Sequence, residues 1–232
     1  VYPGGVKEPA YRSFPDHYAF GSWLGRNGEE IGNTVVDLET GVWPTEMQSI
    51  DCYTRAGVGN LGAGSLDDPN SEHKRTDFFT LRDFSLSSRG VLDHLAACYR
   101  YWIALTDCDG FRIDTLKHVS LEEGRNFCGA IKEFAANLGK INFLLVGEVA
   151  GGDFAQDRYL DVLGRNLDAA LDIGGMRMTL QNVAKGLAPP QTYFDGFDAG
   201  NAEMGSHRNI GQRHVSILDD HDHVFGQKIR FS

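Results

Sequence analysis

The sequence predicts an α/β fold, about half of a (β/α)8 TIM barrel over residues 86–232, preceded by an irregular inserted subdomain over residues 1–85. From about Ser87 onward, stretches with apolar residues at helical spacing alternate with short apolar runs of strand length. This rhythm is typical of parallel strands joined by helices. The earlier part is rich in Gly, Asn, Asp and aromatic residues and has little periodicity, which indicates loops.

Each predicted element has its own signal. Ser87 and Ser88 suit the N-cap of a first helix of about five turns, and apolar runs bounded by turn residues mark the strands. The later elements follow in this order: strand 110–113, helix 121–138, strand 143–146, a short helix at 154–163, strand 167–173, helix 176–188 ended by two prolines, and strand 215–218. Four strands with four helices are half of a barrel whose usual length is about 250 residues.

Composition excludes several classes of protein. The chain has 232 residues, 41% of them hydrophobic, as in ordinary globular proteins, and a formal net charge of −10. Because Lys and Arg do not cluster, nucleic acid is an unsuitable partner, and no apolar run approaches the roughly 18 residues of a membrane helix. The four cysteines are too sparse for a disulfide framework and are predicted to be mostly buried thiols.

Acidic residues follow three of the four predicted strands: Asp114, Glu148, and the pair Asp220 and Asp222. In a parallel barrel the carboxyl ends of the strands face one mouth, so these side chains are expected to converge. A single acid in such a place is usually an N-cap or the loop partner of a basic residue. Three in register favour a carboxylate site of the kind that glycoside hydrolysis uses.

The neighbours of two acids predict different protonation states. Arg112 stands two residues before Asp114 and therefore on the same strand face, where its guanidinium favours the ionised carboxylate. Val146 and Gly147 give Glu148 an apolar approach, which favours a raised pKa. An ionised nucleophile and a protonated acid about 5 to 5.5 Å apart are the pair that a retaining glycosidase needs.

Residues 109–118, D-G-F-R-I-D-T-L-K-H, resemble the strand-four signature G-F-R-x-D-x-x-K-H of the α-amylase family of glycoside hydrolases (family 13 type) at every fixed position. Residues 145–148 resemble the strand-five region and residues 218–222 the strand-seven region, with Asp220 where the family has Asn. The resemblance implies strands four to seven of the barrel, preceded by the subdomain between strand three and helix three. We therefore expect an internal fragment of a catalytic domain.

The resemblance also implies roles for single residues. Asp114 would be the nucleophile, Glu148 the general acid/base, and Asp222 the carboxylate that stabilises the transition state. Substrate contacts would come from Arg112, Lys117, His118, Asp220 and His221. The alternatives are packed structural histidines at positions 118 and 221 and a solvated lysine at 117.

These roles predict a retaining glycoside hydrolase or transglycosidase whose partner is an α-linked glucan or maltooligosaccharide. One alternative is a catalytically silent carbohydrate-binding fragment, because strands one to three and strand eight are missing. Another is a barrel lyase that holds magnesium on strand-end acids, but it explains neither Arg112 nor the Lys117-His118 pair.

The predicted chemistry requires no cofactor, since the sequence has no phosphate-binding loop and no H-E-x-x-H. The resemblance allows a structural calcium ion bound through the backbone carbonyl of His118. Open strand edges of a half barrel favour self-association. Most aromatic residues of the insert are expected in a local core, with Tyr2 and Trp23 as candidates for stacking on sugar rings.

Overall fold

The computed structural model describes residues 8–25, 27–32, 39, 41–150, 159–160, 162–198, 213–219 and 221–222. The chain forms two compact units, Val1–Asp107 and Cys108–Ser232. By its contacts the first long helix belongs to the first unit. The division predicted at residues 85 and 86 stays a prediction.

The first unit is largely irregular. Its regular elements are the antiparallel strands β1 and β2, three 3-10 turns and the helix α1: Trp23–Leu24, Glu30–Gly32, Thr45–Gln48, Ile50–Cys52, Glu72–Lys74 and Arg89–Thr106. The predicted first helix is confirmed, and α1 buries Val91, Ala96 and Ile103 along one face. Ser88 takes the N-cap position, but its side chain makes no capping hydrogen bond.

An aromatic cluster forms the core of this unit. The rings of Phe20, Trp23 and Tyr53 lie 5.2 to 5.8 Å apart, and each side chain is buried. The expectation that Trp23 stacks on sugar rings is therefore wrong, because with 2% of its surface exposed it is committed to the core. Tyr2 lies outside the described residues.

The second unit contains a parallel four-stranded sheet in the order β3-β4-β5-β6, which confirms the predicted α/β class. The strands are Gly110–Ile113, Leu144–Ala150, Ala169–Ile173 and His214–Val215. Helix α2 (Leu121–Asn137) connects β3 with β4, and two shorter helices, α3 (Gly175–Ala184) and α4 (Pro190–Asp195), follow β5. None of the described helices is long and apolar enough to cross a membrane.

Several elements differ from their predicted bounds. Strand β4 continues to Ala150 rather than ending at 146, and β5 begins at Ala169 rather than at 167. Helix α3 ends at Ala184 and Pro190 begins α4, because proline suits the first turn of a helix, where its missing N–H is not needed. Strand β6 is only two residues long, at 214–215 rather than 215–218. Of the predicted helix 154–163, residues 159–160 and 162–163 are helical, and the others lie outside the described residues.

Helix α2, which connects β3 with β4, has a capped start and an apolar face. Ser120 and Glu123 form a reciprocal capping box at its start, with bonds of 3.3 and 3.2 Å. Its apolar face buries Phe127, Ile131 and Ala135. The four cysteines are free thiols, as predicted, but only Cys52 and Cys128 are buried, whereas most of the four were expected to be.

Strand register decides which side chains share a face. Glu148 is paired with Leu171, and Arg112 with Val146, two positions before Glu148. Since successive side chains of a strand point to opposite faces, Arg112 and Glu148 share one face of the sheet. In the described part, β3 and β6 each pair with a single strand. Self-association through these edges stays a prediction.

Candidate active site

The carboxyl ends of β3 and β4 bring three predicted site residues together. Arg112 Nη1 lies 2.5 Å from Asp114 Oδ1, and Arg112 Nη2 lies 3.2 Å from Glu148 Oε2. The predicted contact between Arg112 and Asp114 is thus present, and the same guanidinium also reaches Glu148. One cation therefore serves two carboxylates.

Glu148 lies inside β4 rather than after it, as the fifth of its seven residues, and is buried. Its pKa is raised above the ordinary value, chiefly because burial disfavours the charged form. The N–H of Thr115 and the charge of Arg112 lower the pKa, while the carboxylate of Asp114 raises it. The net direction is the one that a general acid requires.

Asp114 occupies a different environment from Glu148. It directly follows β3, and 67% of its side-chain surface is exposed, against 9% for Glu148. Unlike surroundings of two neighbouring carboxyl groups are the usual basis for dividing acid and nucleophile roles.

Thr115 is a site residue that the sequence did not reveal. Its backbone N–H donates to Glu148 Oε2 over 2.8 Å. Its backbone is left-handed, with φ 52° and ψ 29°, which is rare for a β-branched residue. No sequence signal marks this position, because threonine ordinarily favours extended backbone.

Lys117 and His118 lie in the 3-10 turn Leu116–His118 that follows, and both are half-buried. Burial lowers the pKa of Lys117. The turn is held by Tyr159, whose fully buried hydroxyl lies 2.8 Å from the carbonyl oxygen of Lys117 and 2.7 Å from that of Val119. Tyr159 was also missed, since a tyrosine in an apolar segment predicts only packing.

The segment after β6 carries the remaining predicted residues. His221 Nε2 lies 3.2 Å from Asp222 Oδ2, and both side chains are exposed, by 71% and 47%. Asp220 lies outside the described residues. The structure therefore places His221 and Asp222 in a second pair, and an approach of this pair to Arg112, Asp114 and Glu148 stays a prediction.

One acid in the strands belongs to neither group. Asp172 is paired in register with Val149, so it lies on the face opposite to Glu148. Its Oδ2 is 3.2 Å from His214 Nε2, and both side chains are buried. An acid in a strand of this sheet is thus no sufficient sign of the site; the face and the strand end also matter.

Calcium takes six to eight oxygen ligands, usually several carboxylates among them. Among the described residues, no group of three or more His, Cys, Asp or Glu side chains could hold a metal ion. These side chains do not by themselves fit a calcium site, and calcium bound through the His118 carbonyl stays a prediction.

Known proteins resemble this chain in sequence and in fold. No family model matches the sequence. An α-amylase from Streptomyces lividans is 32% identical over 119 residues, which is 46% of this chain and 13% of the relative. Over these 119 residues the chain is similar to an α-amylase. It spans only a small part of that curated relative's length.

Solved structures share their fold with this chain. An Anoxybacillus α-amylase aligns with a TM-score of 0.55 at 21% identity, over 75% of this chain and 35% of its own. A cyclic α-maltosyl-(1→6)-maltose hydrolase from Arthrobacter globiformis, in complex with maltose, aligns at 0.50 and 18%, over 75% and 36%. A cyclomaltodextrinase aligns at 0.51 and 20%, over 75% and 27%.

Proposed function

We propose that this chain supplies the nucleophile and the acid/base of a retaining glycoside hydrolase or transglycosidase that acts on α-linked glucans. The observation that carries the proposal is the guanidinium of Arg112, which contacts one exposed and one buried carboxylate. A retaining mechanism needs two such groups, one ionised and one able to give a proton.

In the first step Glu148 gives its proton to the glycosidic oxygen while Asp114 attacks the anomeric carbon. The bond from that carbon to the leaving oxygen breaks, and a covalent ester to Asp114 forms. In the second step Glu148, now ionised, takes a proton from water, and the water oxygen displaces Asp114. Two inversions give net retention, and a sugar hydroxyl in place of water gives transglycosylation.

The remaining predicted residues complete the proposal. Asp222 would stabilise the oxocarbenium-like transition state, and substrate contacts would come from Arg112, Lys117, His118, Asp220 and His221. Lys117 is half-buried, and burial lowers its pKa, which supports a role in substrate contact over that of a solvated surface lysine. The maltose in the Arthrobacter globiformis structure supports an α-glucan as the substrate class.

The test incubates the 232-residue chain with a maltooligosaccharide and uses proton NMR to identify the anomer that is released first. The α-anomer is expected, and the β-anomer as first product would contradict retention. Asp114→Asn should lower turnover by several orders of magnitude. Asp109→Asn, at the other end of the same strand, is the matched control and should retain turnover.

A further inference from the structure

Glu148 has two distinguishable carboxylate oxygens. Oε2 accepts the Thr115 N–H at 2.8 Å and lies 3.2 Å from Arg112 Nη2. Both partners can only donate at these atoms, so neither accepts a proton from Oε2. In the acid form the proton is therefore favoured on Oε1.

The Thr115 N–H that donates to Oε2 belongs to a residue with an unusual backbone conformation. A left-handed conformation at a β-branched residue costs about 1 to 3 kcal/mol and persists only where the surrounding structure holds it. Here the next residues fix it: His118 N–H donates to the Thr115 carbonyl over 2.9 Å, and Tyr159 holds the turn from outside. The strained residue stands between the proposed nucleophile and this turn.

We propose that Thr115 is a positioning residue whose backbone N–H fixes Oε2 of Glu148 as the accepting oxygen, so that the transferable proton is carried on Oε1. The inference rests on the proposed function for the use of that proton, but the contacts stand independently of it. The other charged groups that act on Glu148 are Arg112 and Asp114. On the neighbouring strand its register partner is the apolar Leu171.

The first test removes the donor. Replacing the Thr115 peptide N–H by an ester oxygen, with the α-hydroxy analogue of threonine, deletes the bond to Glu148 and leaves the side chain in place. Because this bond favours the ionised carboxylate, the acid dissociation constant of Glu148 should fall about tenfold. The readout is the carbon-13 NMR titration of the Glu148 carboxyl group.

The matched control is the same kind of ester at Val119, which deletes the backbone hydrogen bond from the Val119 N–H to the Leu116 carbonyl and leaves the contacts of Thr115 in place. It should leave the Glu148 titration within about twofold of the native chain. An unchanged titration in the Thr115 ester, or an equal change in both esters, would overturn the proposal. Thr115→Gly keeps the backbone N–H and accepts a positive φ, so the Glu148 carboxyl group of this variant should titrate as in the native chain. A fall in its acid dissociation constant as large as that in the Thr115 ester would also contradict the proposal.

The second test uses the native chain and so does not depend on variants that fold. The Thr115 amide signal should move with the same midpoint as the Glu148 carboxyl, and that of His118 should not. With the proton on Oε1, Oε2 still accepts below that midpoint, so the Thr115 amide should exchange slowly with deuterium on both sides of it. Loss of protection in the acid form would show that Oε2 takes the proton. Both readouts are independent of glucan turnover.

Discussion

Acidic residues at the two ends of the parallel sheet have different partners. At the amino end, Asp168 accepts bonds from Lys132 Nζ at 2.5 Å and from the Leu145 N–H at 2.7 Å. Asp109, before β3, pairs with Lys140 at 2.9 Å. Each of these acids has its own lysine and sits where it ties a strand to its surroundings.

At the carboxyl end, Asp114 and Glu148 share the single guanidinium of Arg112. Two carboxylates on one cation leave a local excess of negative charge, which a proton can relieve. The difference teaches that the ratio of anions to cations, more than the presence of acids, separates a site able to hold a proton from a structural clamp. Four predictions test this contrast, from the largest expected effect to the smallest.

Glu148→Gln should separate catalysis from stability. The variant cannot give a proton, so we expect a fall in turnover of about 10²- to 10⁴-fold on an unactivated maltooligosaccharide. Its unfolding free energy at neutral pH should be equal or higher, because a buried charge is removed. Turnover assays and urea unfolding measure the two effects. A large loss of stability together with native turnover would show that Glu148 is a structural acid, like those at the amino end of the sheet, and would contradict the assignment.

Asp168→Asn should show the opposite pattern. It leaves the partly buried Lys132 without its anion and weakens the bond to the Leu145 N–H. We expect a loss of about 1 to 3 kcal/mol in urea unfolding, and native turnover wherever the chain is folded. Asp195→Asn, in the exposed helix α4, is a control that should change the unfolding free energy by less than about 0.5 kcal/mol. A stable variant with impaired turnover would break the comparison.

Tyr159→Phe tests the support of the carboxyl end. The change removes one buried hydroxyl that lies within hydrogen-bond distance of two carbonyl oxygens, and it keeps the ring. We expect about 1 to 2 kcal/mol lower stability and weaker binding of the oligosaccharide, seen as a higher KM. Tyr101→Phe, at an exposed position on α1, serves as the control and should alter neither quantity.

The sequence foresaw the regular elements of the second unit because helical spacing and apolar runs are local signals. It also foresaw the Arg112–Asp114 contact, since residues two apart on a strand share a face. It could not foresee Thr115 or Tyr159, whose roles depend on a backbone conformation and on a contact across 42 positions. The prediction for Trp23 is wrong for the same reason, because only tertiary packing decides whether an aromatic ring in an irregular segment is buried.

The smallest expected effect concerns pH. Because the folded pKa of Glu148 is raised, the folded state binds a proton at this group over a pH range in which the unfolded chain, with a pKa of about 4.3, has lost it. Glu148 therefore contributes most to stability below the unfolded pKa, and that contribution is lost as pH rises through the folded pKa. The unfolding free energy of the native chain minus that of Glu148→Gln should fall as pH rises through this window. Asp114→Asn removes the neighbouring negative charge that raises the pKa of Glu148, so in that background the fall should end at lower pH and be smaller in total. A difference that stays constant with pH would show that Glu148 titrates alike in both states, and that the carboxyl end holds its acids no differently from the amino end.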